Sequence, residues 1–267
     1  MKPPFELVLF STDPSQIRPA TAAGIQAIIV DWEFIGKTER QLGADTQINR
    51  DTLDDLRRVR ACTDARVLCR LNRFGDTTPV ELEQAVEAGA DEVLLPMVTS
   101  PAEVEAVLAQ ASGRVGTGIL VETQAALSEL PALSRLPLSR VYVGLNDLAI
   151  ERGSPNLFVA LLDGTVDRIR AAFEVPFGFG GLTLPEAGEP IPCRLLLREM
   201  MRLRCHFSFL RRSYHRDMEG RDPAIEVPRL LATLDESRRR SPEEIDEDRS
   251  ELQKAIRRWM DADRSLT

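Results

Sequence analysis

Lysine and histidine are nearly absent from this chain. Lys2, Lys37 and Lys254 stand against 31 arginines, and His206 and His215 are the only histidines. With so few imidazoles, and with Cys62, Cys69, Cys193 and Cys205 forming no CxxC pair, a zinc site is not expected. The cysteines read as buried free thiols of a reducing cytoplasm. No apolar run approaches the roughly 20 residues that span a bilayer. The opening Met1-Lys2-Pro3-Pro4-Phe5 has no apolar core, so neither a membrane span nor a signal peptide is expected. A basic excess is missing too. The net charge of -8 argues against general nucleic-acid binding, which needs a basic face. The first strand-to-helix turn, Ser11-Thr12-Asp13, lacks a glycine-rich dinucleotide fingerprint. The arginine excess reads as high-GC codon usage, which makes Lys37 conspicuous.

What is present is an alternation. The 267 residues are 43% hydrophobic and 28% charged, enough for one large domain with a full core. Short β-branched apolar runs occur at 5–11, 26–31, 66–72, 91–98, 115–122, 140–146, 176–181 and 205–211. Helical patterns lie between them at 13–23, 52–61, 79–88, 100–111, 125–130, 157–173 and 194–203. Asp13 and Ser100 stand as caps, each followed by proline. Alternation of this kind predicts an α/β fold with a parallel sheet. The count of about eight units predicts a closed (β/α)₈ TIM barrel, a fold that needs about 250 residues. The barrel is expected over 1–216 and a helical extension over 217–267. The extension carries two apolar stripes, Leu230, Leu231 and Leu234, then Leu252, Ile256, Trp259 and Met260. They are expected to dock on the barrel or on a neighbouring subunit, with a homo-oligomer as the expected assembly.

The polar residues gather at the strand ends. In such barrels the C-terminal ends carry the chemistry. Strand 2 ends in Asp31-Trp32-Glu33, strand 3 carries Arg70, strand 4 ends in Pro96-Met97, strand 5 ends in Glu122, strand 6 runs through Gly144-Leu145-Asn146 to Asp147, and strand 7 ends in Gly178, Gly180 and Gly181. Glu122 and Asp147, one strand apart, suit a hard divalent cation, Mg²⁺ or Mn²⁺. Arg70 can grip a carboxylate in a bidentate fork, or pair with Asp31 or Glu33. Backbone N–H groups near Gly144, Leu145 and Asn146 could hold a substrate carboxylate. The glycines of strand 7 bind an anion or let a loop pass closely.

The runs Gly89-Ala90-Asp91, Leu95-Pro96-Met97-Val98, Val121-Glu122-Thr123 and Gly144-Leu145-Asn146-Asp147-Leu148 together resemble the HpcH/HpaI aldolase and citrate lyase family. The resemblance covers roughly 5–214. It implies a metal-dependent barrel acting on pyruvate-like 2-oxo acids or acyl-CoA thioesters, with Glu122 and Asp147 as metal ligands and Arg70 at the substrate. Pro96, Met97, Gly144, Leu145 and Asn146 would line the substrate pocket. It further implies dimers or hexamers that exchange a C-terminal helix. The expected reaction is carbon–carbon cleavage or formation through an enolate, with an aldehyde as second substrate.

The chain departs from the family at one position. The aldolases end strand 2 in Asp-x-Glu-His and the citrate lyases in Asp-x-Glu-Asp, but here Phe34 follows Glu33. Lys37, on the loop that follows, could act as a base if desolvated. His206 and His215 are weaker candidates. Two other readings stay open. An acyl-CoA lyase would want a basic groove, which the strand ends do not supply. A barrel that binds a small acid without turnover would not need the missing group.

Overall fold

The computed structural model describes residues 5–36 and 50–264, and Lys37 lies outside them. Eight parallel strands close into a barrel in chain order: β1 (Glu6–Phe10), β2 (Ala27–Asp31), β3 (Arg66–Arg70), β4 (Glu92–Leu95), β5 (Gly116–Val121), β6 (Val141–Val143), β7 (Phe177–Phe179) and β8 (Phe207–Leu210). β1 pairs with β8 from Glu6 against Phe207 to Leu9 against Leu210. Right-handed βα crossovers put the helices outside, so the strands are buried on both faces and read as unbroken apolar runs.

Alternate residues of each strand face opposite ways. One set, including Phe10, Ile29, Leu68, Leu94, Leu120, Tyr142, Phe207 and Phe209, forms a cluster inside the barrel. The other set packs against the helices in a larger cluster. Local chemistry fixes the helix starts. Asp13 accepts from Ser15 N at 2.8 Å ahead of helix Pro14–Ala22. Thr52 and Asp55 form a capping box on helix Leu53–Cys62. Ser100 stands at the start of helix Pro101–Ala111 without a side-chain bond.

Three expectations change. The apolar run of strand 6 is cut short: β6 stops at Val143, and Leu145–Glu151 is helical. Asp147 therefore sits in a first helical turn and not at a strand end. The long helix read over 157–173 is two helices, Val159–Leu162 and Thr165–Ala172. Gly164 between them has φ +77°, a left-handed conformation that ends one helix and that glycine adopts without strain. A short helix, Arg212–Asp217, follows β8 where none was read.

The extension folds back on its own barrel. Helix Pro223–Ser237 buries Val227, Leu230 and Leu234, and Leu231 packs over Gly24. Helix Pro242–Arg264 buries Leu252 and Ile256. Asn156 Nδ2 donates to the Ile256 carbonyl at 3.2 Å, and Trp259 meets Phe158 edge-on at 6.1 Å. Of the two docking places expected for the apolar stripes, the barrel is the one they pack on, with Leu231, Trp259 and Met260 half-buried. No helix among the described residues is long and apolar enough to cross a membrane.

Candidate active site at the C-terminal mouth

Arg70, the last residue of β3, is 4% exposed and held from two sides. Its Nε and one terminal nitrogen donate to Asp31 at 2.8 and 2.6 Å, and its other terminal nitrogen pairs with Glu33 at 3.1 Å. Burial opposes its charge, but Asp31 and Glu33 outweigh burial and hold its pKa above the ordinary value. Both pairings read as alternatives in the sequence are therefore present together. Three of the five guanidinium N–H groups face these carboxylates, which leaves two for a ligand. Asp31 is itself fixed by its backbone N–H, which donates to Asp51 Oδ2 at 2.8 Å.

Glu122 follows β5 and is 1% exposed. Two backbone features set its rotamer. Met97 has φ +52°, rare for a side chain with Cβ, and its N–H donates to Glu122 Oε1 at 2.8 Å. On the other side lies Gly144. A Cβ built there would overlap Glu122 Oε2 and lie 2.6 Å from Glu122 Cβ. Asp147, 8% exposed, follows three residues after Gly144. Burial pushes the Glu122 carboxyl up from its usual range, the Asp147 charge pushes it further, and Glu33 adds to this, against Arg70 and the Met97 N–H.

These contacts place several of the predicted residues. Met97 and Gly144 shape Glu122; the Gly144 N–H itself donates to the Val121 carbonyl at 3.2 Å, so it stays in the barrel wall. Pro96 and Leu145 are buried beside them, and Asn146 is half-buried. His206 lies at the opposite end of the barrel, where its Nδ1 accepts from Phe177 N at 3.2 Å. His215 is on the mouth side, and its Nε2 meets the Phe10 carbonyl at 2.7 Å. A Cβ on Gly178 would overlap the Phe207 carbonyl, so that glycine serves the β7–β8 approach. Phe34 is 47% exposed at the end of β2, and Asn72 Oδ1 accepts from Phe34 N and Ile35 N at 3.0 and 2.9 Å.

Two residues of the mouth escaped the sequence reading. Arg211 follows β8, with its guanidinium 4.6 Å from the Phe10 ring centre. Tyr142 points into the barrel from β6 and stacks on Phe209 at 3.9 Å. Arg211 stood in the strand 8 run, but nothing set it apart from thirty other arginines; Tyr142 read as core.

A cavity of about 460 Å³ opens at the other end, lined by Glu6, Arg66, Glu92, Ser139, Arg140 and His206 among others. Its size does not make it the reactive end: its arginines and carboxylates are bound to one another, and barrels of this kind work at the C-terminal face. Among the described residues no three His, Cys, Asp or Glu side chains gather as a metal cluster. Glu122 and Asp147 make a two-carboxylate set. Such a set suits a hard ion that keeps several waters, and it does not suit zinc.

No family model matches the chain, and no curated protein matches it. Solved structures do. RipC from Yersinia pestis is 15% identical, with a TM-score of 0.56 over 90% of this chain and 98% of that one. An HpcH/HpaI aldolase/citrate lyase family protein from Burkholderia cenocepacia J2315 is 16% identical, with a TM-score of 0.56 over 78% of this chain and 88% of that one. Citrate synthase SbnG is 15% identical, with a TM-score of 0.58 over 88% of this chain and 93% of that one. The chain has the barrel fold of these proteins, and these neighbours are consistent with the HpcH/HpaI aldolase and citrate lyase resemblance read from its strand ends.

Proposed function

We propose that the chain is a divalent-metal-dependent carbon–carbon lyase or aldolase that works through the enolate of a pyruvate- or oxaloacetate-like 2-oxo acid. One observation carries this reading. Glu122 is packed against Gly144, and Asp147 and Arg70 both lie within electrostatic reach of its carboxyl. Buried carboxylates brought together in this way repel, and a cation between them relieves the repulsion. Mg²⁺ or Mn²⁺ would be held by Glu122 and Asp147, and when bound supplies Lewis-acid charge for the enolate oxygen. The names of two structural neighbours, an aldolase/citrate lyase family protein and a citrate synthase, support the same chemistry.

The chain's own residues do the rest. Met97 N–H and the Gly144 backbone hold Glu122 in one rotamer. Asp31 and Glu33 hold Arg70 charged and aimed, so its two remaining N–H groups meet a carboxylate or an enolate oxygen without reorganising. Phe34 removes the proton carrier that the family resemblance would put after Glu33. The proton must then pass through another group, for which Lys37, three positions further along the sequence and outside the described residues, remains the candidate.

The test needs no knowledge of the aldehyde. With Mg²⁺ or Mn²⁺ the protein should exchange the methyl protons of pyruvate, read by NMR, faster than metal alone. It should also speed oxaloacetate decarboxylation. Arg70→Lys should lose about 10²–10³ in rate, the usual cost of an oxyanion donor. If exchange never exceeds that of free metal, the enolate reading fails. The binding-only alternative, which Phe34 in place of the family's acid–base residue favours, would then replace it.

A further inference from the structure

We propose that the cavity at the N-terminal end of the barrel is a second binding site, which takes a small oxyanion, a phosphate or carboxylate group, on the His206 imidazole N–H and the free nitrogens of Arg66, in the field of Arg170. The site is separate from the mouth and independent of the chemistry read there.

The cavity has the room. At about 460 Å³ it falls within the range of small-molecule sites. Glu6, Arg66, Glu92 and Phe207 line it and open β1, β3, β4 and β8, and Pro176 adds apolar wall.

Its carboxylates are engaged. Glu6 Oε1 meets Arg66 and Oε2 meets Arg140, while Glu92 Oε2 meets both arginines and its Oε1 accepts from Ser139. Asp91 pairs with Arg60 at 2.9 Å. Its donors are not all engaged. Arg66 commits one terminal nitrogen to Glu6 and Glu92, and among the described residues its Nε and other terminal nitrogen have no partner. His206 is held in one tautomer. Its Nδ1 accepts from the Phe177 backbone N–H at 3.2 Å, and a backbone N–H can only donate, so the imidazole proton sits on Nε2. The His206 backbone N–H donates to the Phe177 carbonyl at 2.8 Å, which fixes the residue a second time. Among the described residues the Nε2 proton has no partner.

Charge points the same way. Glu6 and Glu92 balance Arg66 and Arg140, and Arg60 balances Asp91. Arg170 is a surplus cation. Its guanidinium lies 5.6 Å from the Phe177 ring centre, and it donates to the Leu203 and Phe173 carbonyls at 2.9 and 2.6 Å. Among the described residues it has no carboxylate partner. Burial, then Arg170 and Arg238, hold the His206 imidazole below its ordinary pKa, so the cationic field reaches that side chain. Arg238 is itself shared with Asp235 at 3.2 Å. Unused donors in a positive field suit an anion rich in acceptors.

The two histidines serve as reporters, because His206 lies at this end of the barrel and His215 at the mouth. Their imidazole signals are assigned with His206→Gln and His215→Gln. They are then followed by NMR as inorganic phosphate, acetate or methylammonium is added to the metal-free protein, with sodium chloride holding the ionic strength constant. Phosphate or acetate should move the His206 signal along a saturating curve with a Kd of about 1 mM or tighter. Whichever saturates at the lower concentration identifies the group the site takes. Methylammonium should leave His206 in place. Arg170→Gln and Arg66→Gln should each weaken the anion at His206 about tenfold, the scale of a charge-assisted contact, and Arg170→Lys should keep most of the affinity. If Arg170→Gln melts early, Arg66→Gln carries the test, since the Arg66 side chain is 52% exposed. The site is refuted if neither anion gives a saturating curve, or if His206 and His215 move together on one curve. It is equally refuted if methylammonium acts as the anions do, or if both glutamine variants bind the anion like the unmodified protein.

Discussion

At the N-terminal end of the barrel, Arg140 gives one terminal nitrogen to Glu6 at 2.8 Å and the other to Glu92 at 2.6 Å. Arg66 spans the same two carboxylates at 3.2 and 3.4 Å, and Ser139 donates to Glu92. Two cations meet two anions in a closed ring. At the C-terminal end, among the described residues, Arg70 and Arg211 face Asp31, Glu33, Glu122 and Asp147. Among these six residues carboxylates outnumber guanidiniums four to two, and Asp147 and Glu33 act on the Glu122 carboxyl as like charges. Both ends hold buried charge, so buried charge does not by itself mark a reactive site. The like charge around Glu122 is what supports the proposed metal site, because a cation would release that repulsion.

The comparison breaks most visibly at the ring. Arg140→Leu would leave Glu6 and Glu92 to the exposed Arg66, a loss approaching the about 3–5 kcal/mol of a buried pair that loses one partner. A fall of roughly 10 °C in melting temperature should follow, at about 2–4 °C per kcal/mol for a chain of this order. Mn²⁺ affinity of the folded protein should be unchanged. A fall of only a degree or two would mean that the ring is not structural.

Gly144→Ala tests the mouth with one added methyl. The new Cβ must displace Glu122, an overpacking cost of about 1–3 kcal/mol. Mn²⁺ affinity, followed by calorimetry, should fall more than tenfold. Unchanged affinity would remove Gly144 from the support of the site.

Glu122→Gln sharpens the contrast by reversing the sign. The amide oxygen can still accept from Met97 N–H, while the repulsion with Asp147 and Glu33 is gone. The metal-free variant should melt at the same temperature or slightly higher, by about 1 kcal/mol at most, in keeping with neutral or stabilising removal of buried charge. It should bind Mn²⁺ poorly. A clear loss of stability would show that the mouth, like the ring, is built for the fold.

The smallest effect concerns pH. Burial raises the Asp51 carboxyl, beside Asp31, from 3.8 to about 6. Its ionised form is thus disfavoured in the fold. Between about pH 4 and 6 the unfolded chain loses this proton first, so stability falls as pH rises through that window and then levels. Asp51→Asn should flatten this part of the profile in denaturant melts at several pH values. An unaltered slope would refute the assignment.

How far the sequence foretold this depended on the kind of signal. Apolar runs ending in a carboxylate made Glu122 visible, and the βα rhythm made the barrel visible. The helical seat of Asp147 was hidden, because Val141-Tyr142-Val143-Gly144-Leu145 reads as one apolar run and only the fold ends it at Val143. The break at Gly164 was missed because a lone glycine costs a helix only about 1 kcal/mol. The ring was illegible for a different reason. Glu6, Arg66 and Glu92 each open a strand and Arg140 directly precedes one, but a charge at a strand start does not say which other charge it meets. Long-range pairing, such as Arg140 with Glu6, leaves no local pattern.

The ring also has an order in time. Its four members come from positions 6, 66, 92 and 140, so all of them exist once residue 140 has been synthesised. β7 and β8 do not yet exist, and neither does Arg211. The charges of the base are therefore made first, but the base closes only with β8, where Glu6 N donates to the His206 carbonyl at 2.8 Å and Arg140 lies 4.6 Å over the Phe207 ring. A chain that stalls on the ribosome after β6 would hold the four charges of the clasp and lack the two strands against which they lock.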